Sequence, residues 1–418
     1  MDYWKKIGTE EAKTRIIAAL AENVNFNHGQ ALGYPVSALD GKIFHEAPFL
    51  KDAPLLMAYV ANPNHIGCHT LGSSESAFKG TQAMEREVLE MVACTIFKAE
   101  PNQFDGYVAA GGTEANIQAL WMYRNIFLKQ HHASLHEIAI VASEDTHYSI
   151  AKGANLLMVD WISVPVVFDT RAIDTTALDN QLKNAVAQGK KYFIAVANMG
   201  TTMFGSVDNP STYTDWFSKN QQPFFLHVDA AYGGFVYPFL APENPLNFGN
   251  PHISSIAVDA HKMLQAPYGT GIFLCRKGLI DHVLTKEAQY VEGMDLTLSG
   301  SRSGANVIAV WMILKAYGQH GWFEKVKVLQ LRTDWFCAQL DALGIAYFRE
   351  ANMNIVTIRA PHIAPAIASQ YDLVPQQHNG KNHWYKIVVM EHVAIESLSG
   401  FLEALAPYTQ TAMKSNAC

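Results

Sequence analysis

The chain has 418 residues, 49% hydrophobic and 17% charged, a composition that supports a large buried core and excludes a disordered chain. Single cores stop growing at about 250–300 residues, so more than one domain is expected. With 38 acidic against 31 scattered basic residues the net charge is −7, which excludes nucleic acid and anionic membrane surfaces as partners.

The amino terminus, MDYWKKIGTEEAKTRIIAAL, carries acidic residues in its first turns and no apolar core before small residues. It does not read as a secretory leader, and no run approaches the roughly 18 uncharged apolar residues of a membrane span. Five cysteines (Cys68, Cys94, Cys275, Cys337 and Cys418) are far apart with no C-x-x-C pair. That pattern points to a reducing, cytoplasmic setting and to no metal site.

Helical patterns near residues 10–23 and 81–97 flank an irregular stretch rich in Gly, Pro, Asn and His. From Gly106 to Cys275 short apolar runs alternate with amphipathic ones, the pattern of a doubly wound α/β domain. The expected strands are Gly106–Ala110, Ile138–Ala142, Tyr192–Asn198, Phe224–Val228, Ile253–Val258 and Gly271–Cys275. Helices are expected over Thr113–Leu128 and Thr176–Ala187. After about Trp311 a long helix leads into a shorter α+β pattern with strand-like Asn354–Ile358 and Trp384–Met390. The expected organisation is an amino-terminal segment over 1–60, a large domain over 61–310 and a small domain over 311–418, without internal repeats.

Four segments carry chemistry. In Tyr107-Val-Ala-Ala-Gly111-Gly112-Thr113-Glu114-Ala-Asn116, a strand meets a double glycine and then a helix start. Glycines admit an anion close to the backbone, Thr113 can cap the helix and donate its hydroxyl, and the first amides point at negative charge, although a tight turn that binds nothing reads the same way. The segment lacks the Lys and Ser/Thr of a P-loop and the third glycine of a dinucleotide fingerprint, so ATP and NAD fit poorly. In Phe225-Leu-His227-Val-Asp229-Ala-Ala231-Tyr232-Gly233-Gly234, Asp229 ends an apolar strand, where ligands of open α/β sheets gather. It reads either as a helix cap or as the partner of a protonated ring nitrogen. Ser143-Glu-Asp-Thr146-His147-Tyr148-Ser149 offers His147 to stack on a flat ligand or simply to meet solvent, and Ala197-Asn198-Met-Gly200-Thr201-Thr202 sets small hydroxyl residues after another strand.

A fifth stretch, Ser255-Ile-Ala-Val-Asp259-Ala-His261-Lys262, puts a lysine between two buried-strand patterns. Such a lysine either snorkels to solvent or is desolvated, loses its proton more readily and becomes a Schiff-base nucleophile. A phosphate, a protonated ring nitrogen, a stacking group and an amine nucleophile together describe pyridoxal 5′-phosphate, and that combination favours the second reading of Lys262.

The segments GGTEAN, DTHYSIAK, ANMGTTMFGSVDN, HVDAAYGGF, DAHKM and LSGSRSGA resemble those of the group II pyridoxal-phosphate-dependent amino-acid decarboxylases. The subgroup looks similar to bacterial histidine decarboxylases and archaeal tyrosine/aspartate decarboxylases. The resemblance implies an α/β fold, fold type I (aspartate aminotransferase-like), with a mostly parallel sheet in the large domain and a small carboxy-terminal α+β domain. It implies that Lys262 forms the Schiff base with His261 beside it, that Asp229 pairs with the pyridinium nitrogen, and that Ala231 and His147 cover the two ring faces. It further implies Gly112 and Thr113 at the phosphate, Thr202 near the ring or Asp229, Tyr290 as a mobile-loop proton donor, and Arg302 at the substrate carboxylate. Asp259 departs from the Asn or Ser of many members; an ionised aspartate cannot donate to a phosphate.

The function implied is decarboxylation of an L-amino acid by a homodimer. Histidine or an aromatic amino acid is the expected substrate, then aspartate or glutamate. The mouth of the pocket is expected to draw on Asn25–His28, Tyr34, Asn62–His65 and His69. A phospho-substrate aldehyde lyase of the sphingosine-phosphate lyase kind shares the cofactor segments but calls for a membrane anchor and a second basic pocket. An oxidative deaminase goes with phenylalanine where Tyr290 stands, and a non-catalytic cofactor-binding protein would show a damaged set of residues.

Overall fold

The computed structural model describes residues 32–33, 66, 68–72, 78–288, 293–378 and 380–415. Helix α1 (Lys79–Glu90) continues into a π-helical turn over Met91–Ile96 and leads to β1 (Phe104–Ala109) and α2 (Gly112–Gln130). Then come β2 (Ile138–Ser143), α3 (Tyr148–Leu157), β3 (Asp160–Val164), α4 (Thr175–Ala187), β4 (Tyr192–Asn198), α5 (Ser211–Lys219) and β5 (Phe224–Asp229). The short α6 (Tyr237–Leu240) precedes β6 (Ile253–Asp259) and β7 (Gly271–Arg276).

These strands form one seven-stranded sheet in the order β1, β7, β6, β5, β4, β2, β3. Neighbours from β6 to β3 are parallel, whereas β7 runs antiparallel to both β1 and β6. The connection from β6 to β7, residues 260–270, is shorter than the crossover of about a dozen or more residues that a parallel return needs, so the chain turns straight back. That tight return holds Lys262.

Side chains alternate across the sheet and feed two separate cores. Ala139, Val141, Ala195 and Ala197 join one, and Ile138, Ile140, Ala142, Ile194 and Val196 the other. Coverage on both faces explains the continuous apolar runs of β2 and β4. The exception is β3, an edge strand with a single fully buried residue, Val164, and correspondingly no apolar run to read.

The chain then enters α7 (Gly304–Ala342), broken at Gly318, whose φ of 62° interrupts the helix. A second, antiparallel sheet follows, built from β8 (Tyr347–Phe348), β9 (Ile355–Arg359), β10 (Val374–His378) and β11 (Lys381–Val388), with α8 (Pro365–Gln370) and α9 (Ile395–Ser415). Its order is β10, β11, β9, β8. The fold is the expected one, a large α/β unit with a mostly parallel sheet followed by a small α+β unit. Among the described residues no helix is long and apolar enough to cross a membrane.

Candidate active site

Four parallel strands end on the same edge of the large sheet, and their last residues are all polar: Ser143, Asn198, Asp229 and Asp259. All four are buried, in the position where open α/β sheets collect ligands. A solvent-open cleft of about 270 Å³ lies there. Its walls include Gly112, Thr113, Asn116, His147, Ala231, Asp259, His261 and Lys262.

The strand-to-helix turn is built for close approach. Gly111, with φ 141°, caps α2 in a conformation that favours glycine. A Cβ on Gly112 would stand 3.0 Å from both Ala231 Cβ and Asp259 Oδ2, so the turn lies against the rest of the site without slack. Thr113 is half-buried in the cleft, but the Gly112 amide is not free for an anion: it donates to Asp259 Oδ1. Asp259 is thus a structural acceptor between β6 and α2, which fits an aspartate that cannot donate to a phosphate.

Asp259 also decides the state of Lys262. The lysine Nζ lies 2.9 Å from Asp259 Oδ2, with its side chain 23% exposed. Burial by itself would push the ammonium toward losing its proton, but the attraction of Asp259 and the hydrogen bond to it outweigh burial and hold the pKa above the ordinary lysine value. The expectation that desolvation frees this amine is therefore corrected, because a carboxylate stands beside it. His261 donates from Nδ1 to the Thr270 carbonyl at 2.8 Å, and its ring stacks on Tyr268 at 4.8 Å.

Asp229 is 6% exposed at the end of β5. Its Oδ2 accepts from Asn116 Nδ2 at 2.8 Å and its Oδ1 from the Ala231 amide at 3.1 Å. A carboxylate has about four lone-pair sites, so capacity remains for a further N–H donor. His147 caps α3, its Nδ1 facing the Ser149 hydroxyl at 2.9 Å and the Ser149 amide at 3.3 Å, and burial lowers its pKa. Tyr148, 65% exposed, places its ring 4.0 Å from that of His147.

Two expected residues sit elsewhere. Arg302 does not line the cleft; its guanidinium is buried against Glu85, with further bonds to the carbonyls of Cys68 and Val108. A cation spent on a buried carboxylate is not available to a substrate, which corrects its assignment to the substrate carboxylate. Thr202 is exposed and is held through its backbone carbonyl, which accepts from Lys386 Nζ at 3.1 Å. Tyr290 and the expected pocket residues Asn25–His28, Tyr34 and Asn62–His65 lie outside the described residues. His69 is buried against Asp105, 2.7 Å from its carboxylate.

Sequence reasoning missed Lys386 on β11, 3% exposed, whose pKa burial and the nearby Lys262 depress to about 8. A lysine inside the apolar run Trp384–Met390 was the available signal. It also missed Asn116 and His227, although the alternation of β5 puts His227 on the same face as Asp229.

The donor set suits pyridoxal 5′-phosphate: a helix start with Thr113 for phosphate, a flat imidazole, an amine, and a buried carboxylate with accepting capacity left. The profile of the pyridoxal-dependent decarboxylase conserved domain matches residues 11–344. The chain belongs to the pyridoxal-dependent decarboxylase family. It is similar to a tryptophan decarboxylase of Clostridium sporogenes (strain ATCC 15579), at 48% identity over 99% of this chain and 100% of that protein. It is also similar to a histidine decarboxylase of Vibrio campbellii, at 29% identity over 66% of this chain and 69% of that protein. In fold it resembles the L-methionine decarboxylase of Streptomyces sp. 590, with a TM-score of 0.77 at 21% identity over 95% of each chain. The chain is a pyridoxal-phosphate-dependent amino-acid decarboxylase.

Proposed function

We propose that this decarboxylase acts on an aromatic L-amino acid, with tryptophan the preferred substrate and the corresponding amine the product. The observation that carries this reading is the 48% identity to a tryptophan decarboxylase, sustained over 99% of the chain. The exposed rings of Tyr148 and Tyr268, one beside His147 and the other stacked on His261, support it by offering aromatic surface to an indole. Carbon dioxide release from tryptophan, tyrosine, phenylalanine, histidine, aspartate and glutamate tests it: tryptophan is expected to give the highest kcat/KM, and a preference for an acidic amino acid would refute it.

When bound, pyridoxal 5′-phosphate supplies an electron-accepting ring for the pair left behind by the departing carboxylate. In our reading Asp229 would keep a proton on the ring nitrogen, Lys262 would hold the cofactor through its amine, and His147 and Ala231 would cover the two ring faces. Thr113 binds the phosphate with the start of α2. His261 stands beside Lys262, and Tyr290 would supply the proton for the carbon that loses its carboxylate. In place of Arg302 we assign the substrate carboxylate to Lys386, a buried ammonium whose only described hydrogen bond is to a neutral carbonyl. We further propose a homodimer, to be checked by sedimentation of the holoenzyme.

A further inference from the structure

Behind the cleft, α2 lies along β5 so that Asn116 and Tyr123 face His227 and Phe225. The rings of Tyr123 and Phe225 stack at 4.5 Å and 11°. Between them runs a chain of buried polar groups whose donor and acceptor roles have only one consistent assignment.

Asp229 fixes the direction. Both of its oxygens accept, so the Asn116 amide must turn its nitrogen toward it; the flipped amide would set oxygen against oxygen. The Asn116 nitrogen therefore donates to Asp229 at 2.8 Å and, with its other hydrogen, to Ser149 Oγ at 2.9 Å. The Asn116 oxygen is left to accept from His227 Nε2 at 2.9 Å. His227 is fully buried and its pKa is pushed down to about 4, so it is neutral and its Nδ1 is bare. That nitrogen accepts from the Ser255 hydroxyl at 2.7 Å, and Ser255 accepts from Tyr123. On the other branch the Ser149 amide donates to His147 Nδ1 at 3.3 Å, so that nitrogen is bare, and the Ser149 hydroxyl, which accepts from Asn116, gives it a second donor at 2.9 Å. Neutral His147 then carries its proton on Nε2.

We propose that Asn116 is a positioning residue: its single amide locks the Asp229 carboxylate and, through the Ser149 hydroxyl, reinforces the orientation of His147 that the Ser149 amide sets. The two groups assigned to the cofactor ring are thereby linked by one side chain, and the donors lined up toward Asp229 reinforce each other. This inference rests on the proposed roles of Asp229 and His147.

The test combines cofactor titration of the cofactor-free protein with nitrogen NMR of its labelled histidines. Asn116→Asp keeps the shape but removes both donors. It is expected to weaken pyridoxal 5′-phosphate binding by at least about tenfold, the usual worth of a hydrogen bond to a charged group, and to shift the His147 nitrogen signals as the Ser149 hydroxyl loses its donor. Asn116→Ala removes the donors without adding charge and should give the same two changes, which guards against a folding failure of the first variant. Ser149→Ala cuts only one branch: the His147 signals should change while cofactor affinity stays within about twofold. Asn116 variants that bind the cofactor within about twofold of wild type, with the His147 signals unchanged, would overturn the proposal. Asp229→Asn separates the two levels. If it too binds like wild type, the site reading falls and the inference with it; if Asp229→Asn weakens binding and the Asn116 variants do not, the inference alone falls.

Discussion

Lys386 and Arg302 are both buried cations, and their surroundings give them opposite uses. Arg302 is neutralised by Glu85, whereas Lys386 has a carbonyl for a partner and Lys262 for a neighbour. If Lys386 holds the substrate carboxylate, binding needs its ammonium, which is present below its pKa of about 8 and lost above it. KM should therefore be flat below that pH and rise about tenfold per unit above it, while Lys386→Arg should extend the flat region because arginine stays charged. A KM profile that is the same in both proteins would contradict the assignment. Lys262, Asp229 and His147 were legible in the sequence because each follows a readable strand, and strand ends are where ligands sit. Arg302 was assigned from the family resemblance alone, and its partner Glu85 is 217 residues away, a pairing that no local pattern reveals.

At the scale of elements, the turn between β1 and α2 is held from two sides. Strand β1 is a sheet edge, and the Glu85–Arg302 pair satisfies both the amide and the carbonyl of Val108 on it. Burial alone would raise the pKa of Glu85, but Arg302 outweighs it and keeps the carboxylate ionised. Glu85→Leu leaves a buried guanidinium unpaired and should cost about 3–5 kcal/mol in denaturant unfolding, while Glu85→Leu with Arg302→Met should recover part of that loss. On the opposite side a Cβ at Gly271 would stand 2.7 Å from Gly111 Cα, backbone that cannot yield like a flexible side chain. Gly271→Ala should cost about 1–3 kcal/mol and weaken cofactor binding by moving the glycine turn. The element pattern itself was largely readable, β4 at Tyr192–Asn198 to the residue. The half-exposed edge strand β3 was not, since periodicity reports burial and β3 has little.

For the whole molecule, a side-chain contact joins units far apart in sequence: β11 of the small sheet delivers Lys386 to the Thr202 carbonyl of the large unit. The two-part architecture was legible from the change of pattern after Trp311, but this contact was not, because sequence periodicity assigns a face and not a partner. Cofactor that binds only the folded chain must stabilise it, by about 2.7 kcal/mol at a hundredfold excess over its dissociation constant. Thermal unfolding should therefore shift upward with added pyridoxal 5′-phosphate, and Lys262→Ala should lose most of that shift.

The most direct measurement is the kcat/KM for carbon dioxide release by the purified holoenzyme across the twenty amino acids, with Lys262→Ala as the control. The account predicts release led by tryptophan, with the other aromatic amino acids behind it and none from the control. Release led by aspartate or glutamate, or release that survives in Lys262→Ala, would contradict it.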